Sequence, residues 1–408
     1  MPAEAYIVAT ARSPIGRAGK GSLVSLRGDD LAARMVQAAL DRVPGLDPAR
    51  IDDLLLGTGQ PAGEQGFNIA RIVSVLLGLD GVPGTTVNRY CSSSLQTTRM
   101  AFHAIKAGEG DVFVSAGVEM VSRYPFGAAD FSPGTTTENP AFADAGVVTA
   151  SRAEGGAADW GDPRGSGTLP DPYIAMGQTA ENVAQLRGIT RDEQDAFAAR
   201  SQQRAEAAIA SGFWSRDITP VTLADGTVVA ADDGPRPGVT IESLSGLQPV
   251  FRPDGTVTAG NCCPLNDGAA AVVIVSDRIV DELGLEPLAR IVSTGVSGLS
   301  PEIMGLGPVE SSRRALALAG LGIDDIDLVE INEAFAAQVI PSARELGIDE
   351  ERLNVHGGAI AVGHPFGMTG ARITSTLING LAETGGRYGL ETMCVGGGQG
   401  MAMVLERV

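Results

Sequence analysis

The sequence predicts an α/β protein with two similar halves and a region inserted inside or after the first. Three observations carry this expectation. Short apolar segments alternate with amphipathic ones up to about residue 116, and the alternation resumes near Gly268. The two ends look like weak copies of one another. Asp52-Asp53-Leu54-Leu55-Leu56-Gly57 parallels Asp325-Ile326-Asp327-Leu328-Val329-Glu330, and Asp111-Val112-Phe113-Val114-Ser115-Ala116-Gly117 parallels Leu390-Glu391-Thr392-Met393-Cys394-Val395-Gly396. The 54 glycines fall at turns between apolar runs rather than in one low-complexity tract.

Residues 5–10 read as the first strand. Residues 25–43 read as a helix, because Leu31, Met35, Val36, Ala39 and Leu40 fall on one side at helical spacing. A strand over 53–57, a helix over 68–77 and a strand over 85–88 follow. A helix over 92–107, which carries His103 as a structural residue, and a strand over 111–116 complete the first half. Between Arg123 and Asp171 the chain is rich in Gly, Ala, Pro, Ser, Thr and Asp and has weak periodicity, so it reads as an insertion or extended loop. Thr190-Arg191-Asp192-Glu193 is a capping box that opens a helix, with Gly212 as its stop. Asp225-Gly226 and Asp254-Gly255 mark turns in a stretch expected to be β-rich. Strands are then expected over 269–275 and 289–296, and a helix over 310–319. A strand over 327–331 runs into Asn332-Glu333-Ala334-Phe335-Ala336. A helix over 369–381 and a hairpin of 391–395 with 401–406 close the chain.

Composition excludes several function classes. Thirty basic against 49 acidic side chains leave a formal charge of −19, which disfavours nucleic acid and anionic membrane surfaces as partners. An anionic ligand would need a locally positive pocket. No apolar run reaches membrane-spanning length. Met1-Pro2-Ala3-Glu4-Ala5 lacks the basic flank and apolar core of a secretory signal, so a cytoplasmic location is expected. The four cysteines, Cys91, Cys262, Cys263 and Cys394, lack zinc-ligand spacing and fit a reducing compartment.

Three segments stand out chemically. Cys91, in Asn88-Arg89-Tyr90-Cys91-Ser92-Ser93-Ser94, sits where a strand meets a helix of small residues. Helix N-termini offer free N–H groups and a positive dipole end, which stabilise a thiolate. A lone cysteine is more often an inert buried thiol; its setting and the other two segments argue otherwise. His364 lies in Gly363-His364-Pro365-Phe366-Gly367, where glycine density allows close approach to a substrate. Cys394 ends a strand and precedes Val395-Gly396-Gly397-Gly398-Gln399-Gly400, whose N–H groups can converge on an anionic oxygen. One thiolate, one imidazole and a second thiol are what carbon–carbon bond chemistry on thioesters requires.

With these segments in place, the chain resembles the thiolase family along nearly its whole length. The matching blocks are the Cys91 segment, Asn332-Glu333-Ala334-Phe335-Ala336, Gly363-His364-Pro365-x-Gly367 and Cys394-x-Gly396-Gly397-Gly398-x-Gly400. Thr258-Ala259-Gly260-Asn261 with Asn266-Asp267-Gly268-Ala269-Ala270, and Met176-Gly177-x-Thr179-Ala180-Glu181-Asn182, match as well. The resemblance implies the thiolase fold: two duplicated α/β halves in a five-layer α-β-α-β-α arrangement with an inserted loop domain. It divides the chain into an N-terminal half (1–120 with 256–275), a loop domain that binds coenzyme A and substrate (121–255), and a C-terminal half (276–408). It implies that Cys91 becomes acylated, that His364 lowers its pKa, and that Cys394 is the acid/base at the α-carbon. It implies one oxyanion hole from His364 with a water on Asn332, and a second from the N–H groups of Cys91 and Gly396. Met176, Cys263, Phe335 and Ala259 are expected at the coenzyme A and substrate pocket. Coenzyme A is implied as a substrate, with no cofactor or metal, and a homodimer or homotetramer is implied. Ser94 where the family has Gly, His356 where it has Asn, Ala175 where it often has His, and Cys263-Pro264 where it often has Ser are departures that bear on acyl specificity.

The activity implied is thiolytic cleavage of 3-oxoacyl-CoA in fatty acid or other lipid breakdown, steroid side chains included. The alternative is condensation of two acetyl-CoA to acetoacetyl-CoA. A decarboxylating ketosynthase would pair Cys with two His and lack the Cys394 block. A non-catalytic lipid carrier would be expected to have lost one of Cys91, Asn332, His364 and Cys394.

Overall fold

A computed structural model describes residues 3–124, 137–156 and 159–408. The strands are β1 (Ala5–Arg12), β2 (Gly16–Arg17), β3 (Asp53–Gly57), β4 (Gly84–Val87), β5 (Val112–Met120), β6 (Val221–Thr222), β7 (Val228–Val229), β8 (Asn266–Ser276), β9 (Ala289–Gly298), β10 (Leu328–Ile331), β11 (Tyr388–Val395) and β12 (Gln399–Arg407). The α-helices are α1 (Gly28–Leu40), α2 (Ile69–Leu76), α3 (Ser93–Ala107), α4 (Ala143–Ala153), α5 (Met176–Arg187), α6 (Arg191–Ala210), α7 (Phe213–Asp217), α8 (Ile241–Ser245), α9 (Asp277–Leu283), α10 (Gly307–Ala319), α11 (Ala336–Leu346), α12 (Ala359–Val362) and α13 (Thr369–Thr384).

Strands run in the order β10-β11-β12-β9-β1-β8-β5-β3-β4. The seam between the halves is short: β1 meets β9 only through Tyr6 with Arg290 and Ile7 with Ala289. The expected repeat is visible in the pairing. In the first half β3 pairs parallel with β5, and β5 antiparallel with β8. In the second, β10 pairs parallel with β11, and β11 antiparallel with β12.

Side-chain alternation then builds five layers. On β8, Val273 and Val275 face α1 and α2, which bring Leu31, Met35, Val36, Ile69 and Val73. Val272 and Ile274 point the other way, into a central layer of α3 and α13 with Leu95, Ile105, Ile373 and Leu377. Met401 and Met403 of β12 close that layer from the second sheet. Beyond it, Leu390 and Val404 pack under α10 and α11. All eleven residues of β8 are buried, as a strand covered on both faces should be. The central helices touch closely at Gly370, where a Cβ would lie 2.2 Å from the backbone nitrogen of Leu95.

Two expectations need correction. The stretch expected to be β-rich has as strand pairing only the β6–β7 hairpin and isolated bridges, and it includes helix α8. The Asp225-Gly226 turn forms, with Gly226 at φ +87°, but carboxylates accepting from backbone N–H groups, rather than ladders, tie much of the stretch to the rest of the chain. Asp232 accepts from Ile15 N–H, Asp233 from Arg17 and Ser22 N–H, and Glu181 from Thr256 and Val257 N–H. Second, the region read as loop between 123 and 171 contains α4, which buries none of its residues and so shows no apolar stripe. Residues 125–136 of that reading lie outside the described residues. Among the described residues, no helix is long and apolar enough to cross a membrane.

Candidate active site

β4 ends at Val87, and the chain turns sharply before α3. Tyr90 takes φ +43°, a left-handed conformation unusual for a bulky residue. Ser93 holds the turn: its Oγ accepts from Arg89 N–H at 2.9 Å and donates to the Tyr90 carbonyl at 2.7 Å. Cys91 thereby projects, partly exposed, just ahead of α3. Ser94 fits where the family has Gly, because its Oγ accepts from Ala371 N–H at 2.9 Å.

The second half meets this turn through the loop after β11. The Gly396 N–H and the N–H of Cys91 itself are close enough to the Cys91 sulfur to lower its pKa. Burial outweighs both and pushes the thiol up to about 12, with Glu119 adding repulsion. Cys394 is fully buried, and burial with the charge of nearby Cys91 raises it well above the ordinary thiol range. A Cβ on Gly396 would lie 3.3 Å from the Tyr90 ring and 3.7 Å from the Met176 sulfur, so Met176 faces the same loop.

His364 is buried at the start of the segment leading to α13. Its N–H donates to Asn266 Oδ1 at 2.9 Å, and Asn266 Nδ2 donates to the Gly16 carbonyl. The ring tautomer follows from Thr369. The Thr369 hydroxyl donates to the Pro365 carbonyl at 2.7 Å, so it must accept at 2.6 Å from Nδ1–H of His364. That leaves Nε2 as the ring's acceptor nitrogen. Burial, reinforced by Arg372, lowers this imidazole to about 3. The Asn332 amide nitrogen lies 3.3 Å from Nε2, while its buried Oδ1 has no hydrogen-bond partner. Gln338 Nε2 donates to the Asn332 carbonyl and holds the end of β10.

Glu119 was missed by sequence reasoning. Fully buried at the end of β5, its carboxylate accepts from the N–H groups of Gly59, Gln60 and Gly367, and from Tyr124 and Gln65. It thus ties the loop that follows His364 to the turn beside the Tyr90 carbonyl. Its partners are up to 248 residues away in sequence, so no local pattern announces it.

The pocket residues divide into two groups. Cys263 N–H donates to the Ala334 carbonyl, and Cys262 bridges Phe335, which packs edge-on to Phe251. The raised pKa of Cys263 comes from burial first, then from Cys262, Cys91 and Cys394, so it neighbours both reactive thiols. Ala259 is exposed and lines an adjoining cavity with Arg17, Arg236, Cys262 and Pro264. The Nε of Arg17 is buried there without a partner, and burial followed by Arg17 lowers the pKa of Arg236. Two facing arginines make a local positive site in a chain of net charge −19.

Beneath the site, the register of β10 and β11 sets Glu330 beside Glu391, both buried. Thr374 donates to Glu391 at 2.8 Å. Burial pushes Glu330 up to about 8 against the pull of Arg372. A carboxyl with a raised folded pKa contributes stability below its unfolded value of 4.5 and loses it as pH rises through 8. A buried imidazole lowered from 6.5 to about 3 has the opposite sign, contributing above 6.5 and losing stability as pH falls. The two offset one another between 4.5 and 6.5. Above that, the carboxyl dominates. Melting measured from pH 6.5 to 8 should show a decline to which Glu330 contributes roughly 2 kcal/mol, with Glu391, raised by burial as well, contributing with the same sign; Glu330→Gln should lessen the decline, and an identical decline in the variant would assign the loss elsewhere.

Comparison with known proteins was made against this geometry. Residues 5–278 match the family described as "Thiolase, N-terminal domain", and residues 285–407 match "Thiolase, C-terminal domain". A "3-ketoacyl-CoA thiolase" of Bacillus subtilis is 44% identical over 99% of both chains. A "Beta-ketoadipyl-CoA thiolase" of Pseudomonas aeruginosa is also 44% identical, over 100% of both. Among solved structures, the "Crystal structure of the Bacillus anthracis acetyl-CoA acetyltransferase" superposes with a TM-score of 0.86 at 38% identity, covering 100% of this chain and 99% of the other.

Proposed function

The chain belongs to the thiolase family of acyltransferases, and we propose that it cleaves 3-oxoacyl-CoA with coenzyme A to acetyl-CoA and a shortened acyl-CoA. The observation that carries this reading is the glycine loop after Cys394 packed against the Cys91 turn, where a Cβ on Gly396 would lie 3.3 Å from the Tyr90 ring, with Cys394 close enough to feel the Cys91 charge. The Cys91 thiol passes its proton to His364 Nε2, and the sulfur attacks the 3-oxo carbon. The oxygen that becomes negative is placed for the N–H groups of Cys91 and Gly396. The bond between the α-carbon and the 3-oxo carbon then breaks. Cys394 gives its proton to the α-carbon, releasing acetyl-CoA and leaving an acyl group on Cys91. In the second half, the Cys394 thiolate takes the proton of incoming coenzyme A. Its sulfur displaces Cys91 from the acyl group, and His364 returns the proton to Cys91. Asn332 and His364 support the enolate oxygen of the departing acetyl-CoA, with a water suited to the unpaired Asn332 Oδ1.

Coenzyme A is the anionic ligand for the Arg17–Arg236 cavity, and it enters as a substrate. The acyl side is walled by Met176, Cys263, Phe335 and Tyr90, with no Asp, Glu, Lys or Arg among them, which supports an apolar acyl group. The relatives named for 3-ketoacyl-CoA and beta-ketoadipyl-CoA define the competing substrates. Thiolysis, followed by loss of the 3-oxoacyl-CoA enolate signal, should show kcat/KM highest for a long-chain or ring-bearing substrate. Preference for 3-oxoadipyl-CoA would replace the apolar reading with a carboxylate-ended one. Preference for acetoacetyl-CoA would favour the reverse condensation, which the same site can run.

A further inference from the structure

The nucleophile turn and the glycine loop are joined by a side-chain bridge between residues 310 positions apart. Gly396, Gly397 and Gly398 connect β11 to β12, with Gly397 at φ +76° and Gly398 at φ +79°. A loop of three glycines has little conformational restraint of its own. The Gly398 carbonyl is held by Leu299 N–H at 2.8 Å, and Gln399 restrains the Gly396 end: its Nε2 donates to the Gly396 carbonyl at 3.2 Å, and its Oε1 accepts from Arg89 Nη1 at 2.8 Å. The amide orientation is not arbitrary. A guanidinium can only donate, so the oxygen must face Arg89 and the NH₂ must face the carbonyl.

Arg89 is rooted in the turn that carries the thiol. Its N–H donates to Ser93 Oγ, and its carbonyl accepts from Ser92 N–H at 3.1 Å. Its side chain is half-buried and, among the described residues, makes no ion pair; Nε is buried without a partner. A guanidinium left unneutralised beside the loop favours negative charge nearby, and low dielectric strengthens that effect. The Gly396 carbonyl and N–H flank a Cα that carries only hydrogens, so holding the carbonyl limits the swing of the N–H.

We propose that Arg89 and Gln399 are positioning residues that hold the Gly396 N–H alongside the Cys91 N–H, so that both donors converge on one anionic oxygen. The proposal rests on the thiolase reading above and adds two residues to it. Neither residue touches the reacting atoms; both act through the Gly396 peptide. Misplacing a donor by about 1 Å lowers catalysis by roughly 10²-fold, and that is the loss expected.

The test uses Arg89→Lys, which keeps the charge but not the planar fork, Gln399→Met, which keeps length without hydrogen bonds, and the double variant. Each is acylated on Cys91, and the acyl carbonyl stretch is read by isotope-edited infrared difference spectroscopy beside kcat, KM and subunit mass from light scattering. The expected result is a carbonyl band moved to higher wavenumber in both single variants, kcat lowered about 10²-fold and KM little changed. The double variant should be no worse than the worse single, because the residues act as one unit. An unmoved band in both variants overturns the proposal, as does a loss of kcat that follows subunit dissociation with the band unmoved. A wild-type chain that forms no acyl-Cys91 refutes the thiolase reading itself, and the bridge with it.

Discussion

Replacing Cys91 with alanine is expected to abolish acylation and to lower thiolysis by roughly 10⁴–10⁶-fold, the scale seen when a covalent nucleophile is removed. The size follows from the geometry. Two backbone donors converge on this sulfur, and no other thiol has that arrangement among the described residues. Cys263 is the nearest substitute, but burial and three neighbouring thiols disfavour its thiolate. The fold should survive, because Cys91 is partly exposed and its turn is held by Ser93 and Tyr90 rather than by the sulfur. Intact mass after incubation with a 3-oxoacyl-CoA checks this directly: the parent chain gains one acyl group and the variant none, with unchanged circular dichroism. Turnover within tenfold of the parent would remove the covalent route.

The contrast between what could and could not be read in the sequence has a physical basis. The strand leading into Cys91 was legible from its β-branched Thr85, Thr86 and Val87, and the hairpin around Cys394 because it is a local apolar run that ends in small residues. The five layers were legible only through the family resemblance, since alternation alone does not say which faces meet. Helix α5 gave no helical signal because its inward face is polar: Gln178, Glu181 and Asn182 are buried to bond Arg252, the Glu302 carbonyl and the Thr256–Val257 backbone. Helix α11 carries Pro341 inside it and buries most of its surface, which erases the amphipathic stripe. The residues that shape the candidate site were hidden for another reason. Glu119, Asn266, Arg89 and Gln399 act across separations of up to 310 residues, and such contacts leave no spacing to find. Chemistry-bearing residue types can be listed from a sequence, but the groups that aim them are chosen by the fold.

Replacing Cys394 with alanine is expected to separate the two halves of the reaction. Cys394 is fully buried, and both burial and the neighbouring Cys91 hold its proton on. Two thiolates that close would repel, so ionising Cys91 keeps Cys394 a thiol, ready to act as an acid. A coenzyme A thiolate is a stable leaving group and needs little protonation, whereas an α-carbanion needs a proton delivered where it forms. Acyl transfer from a simple acyl-CoA onto Cys91 should therefore remain detectable in Cys394→Ala. Thiolysis, and exchange of the acetyl-CoA methyl protons with deuterium followed by NMR, should fall by about 10²–10⁴-fold, the usual worth of a positioned acid/base. Loss of one buried sulfur costs about 1 kcal/mol of packing, too little to unfold the chain, so a melting curve separates the two effects. The Cys394→Ser variant sharpens the point, because it restores the volume and a hydrogen-bond donor but not the acidity. If serine recovers stability without exchange, the thiol acts through its proton; if Cys394→Ala exchanges at the parent rate, the acid at the α-carbon is another group.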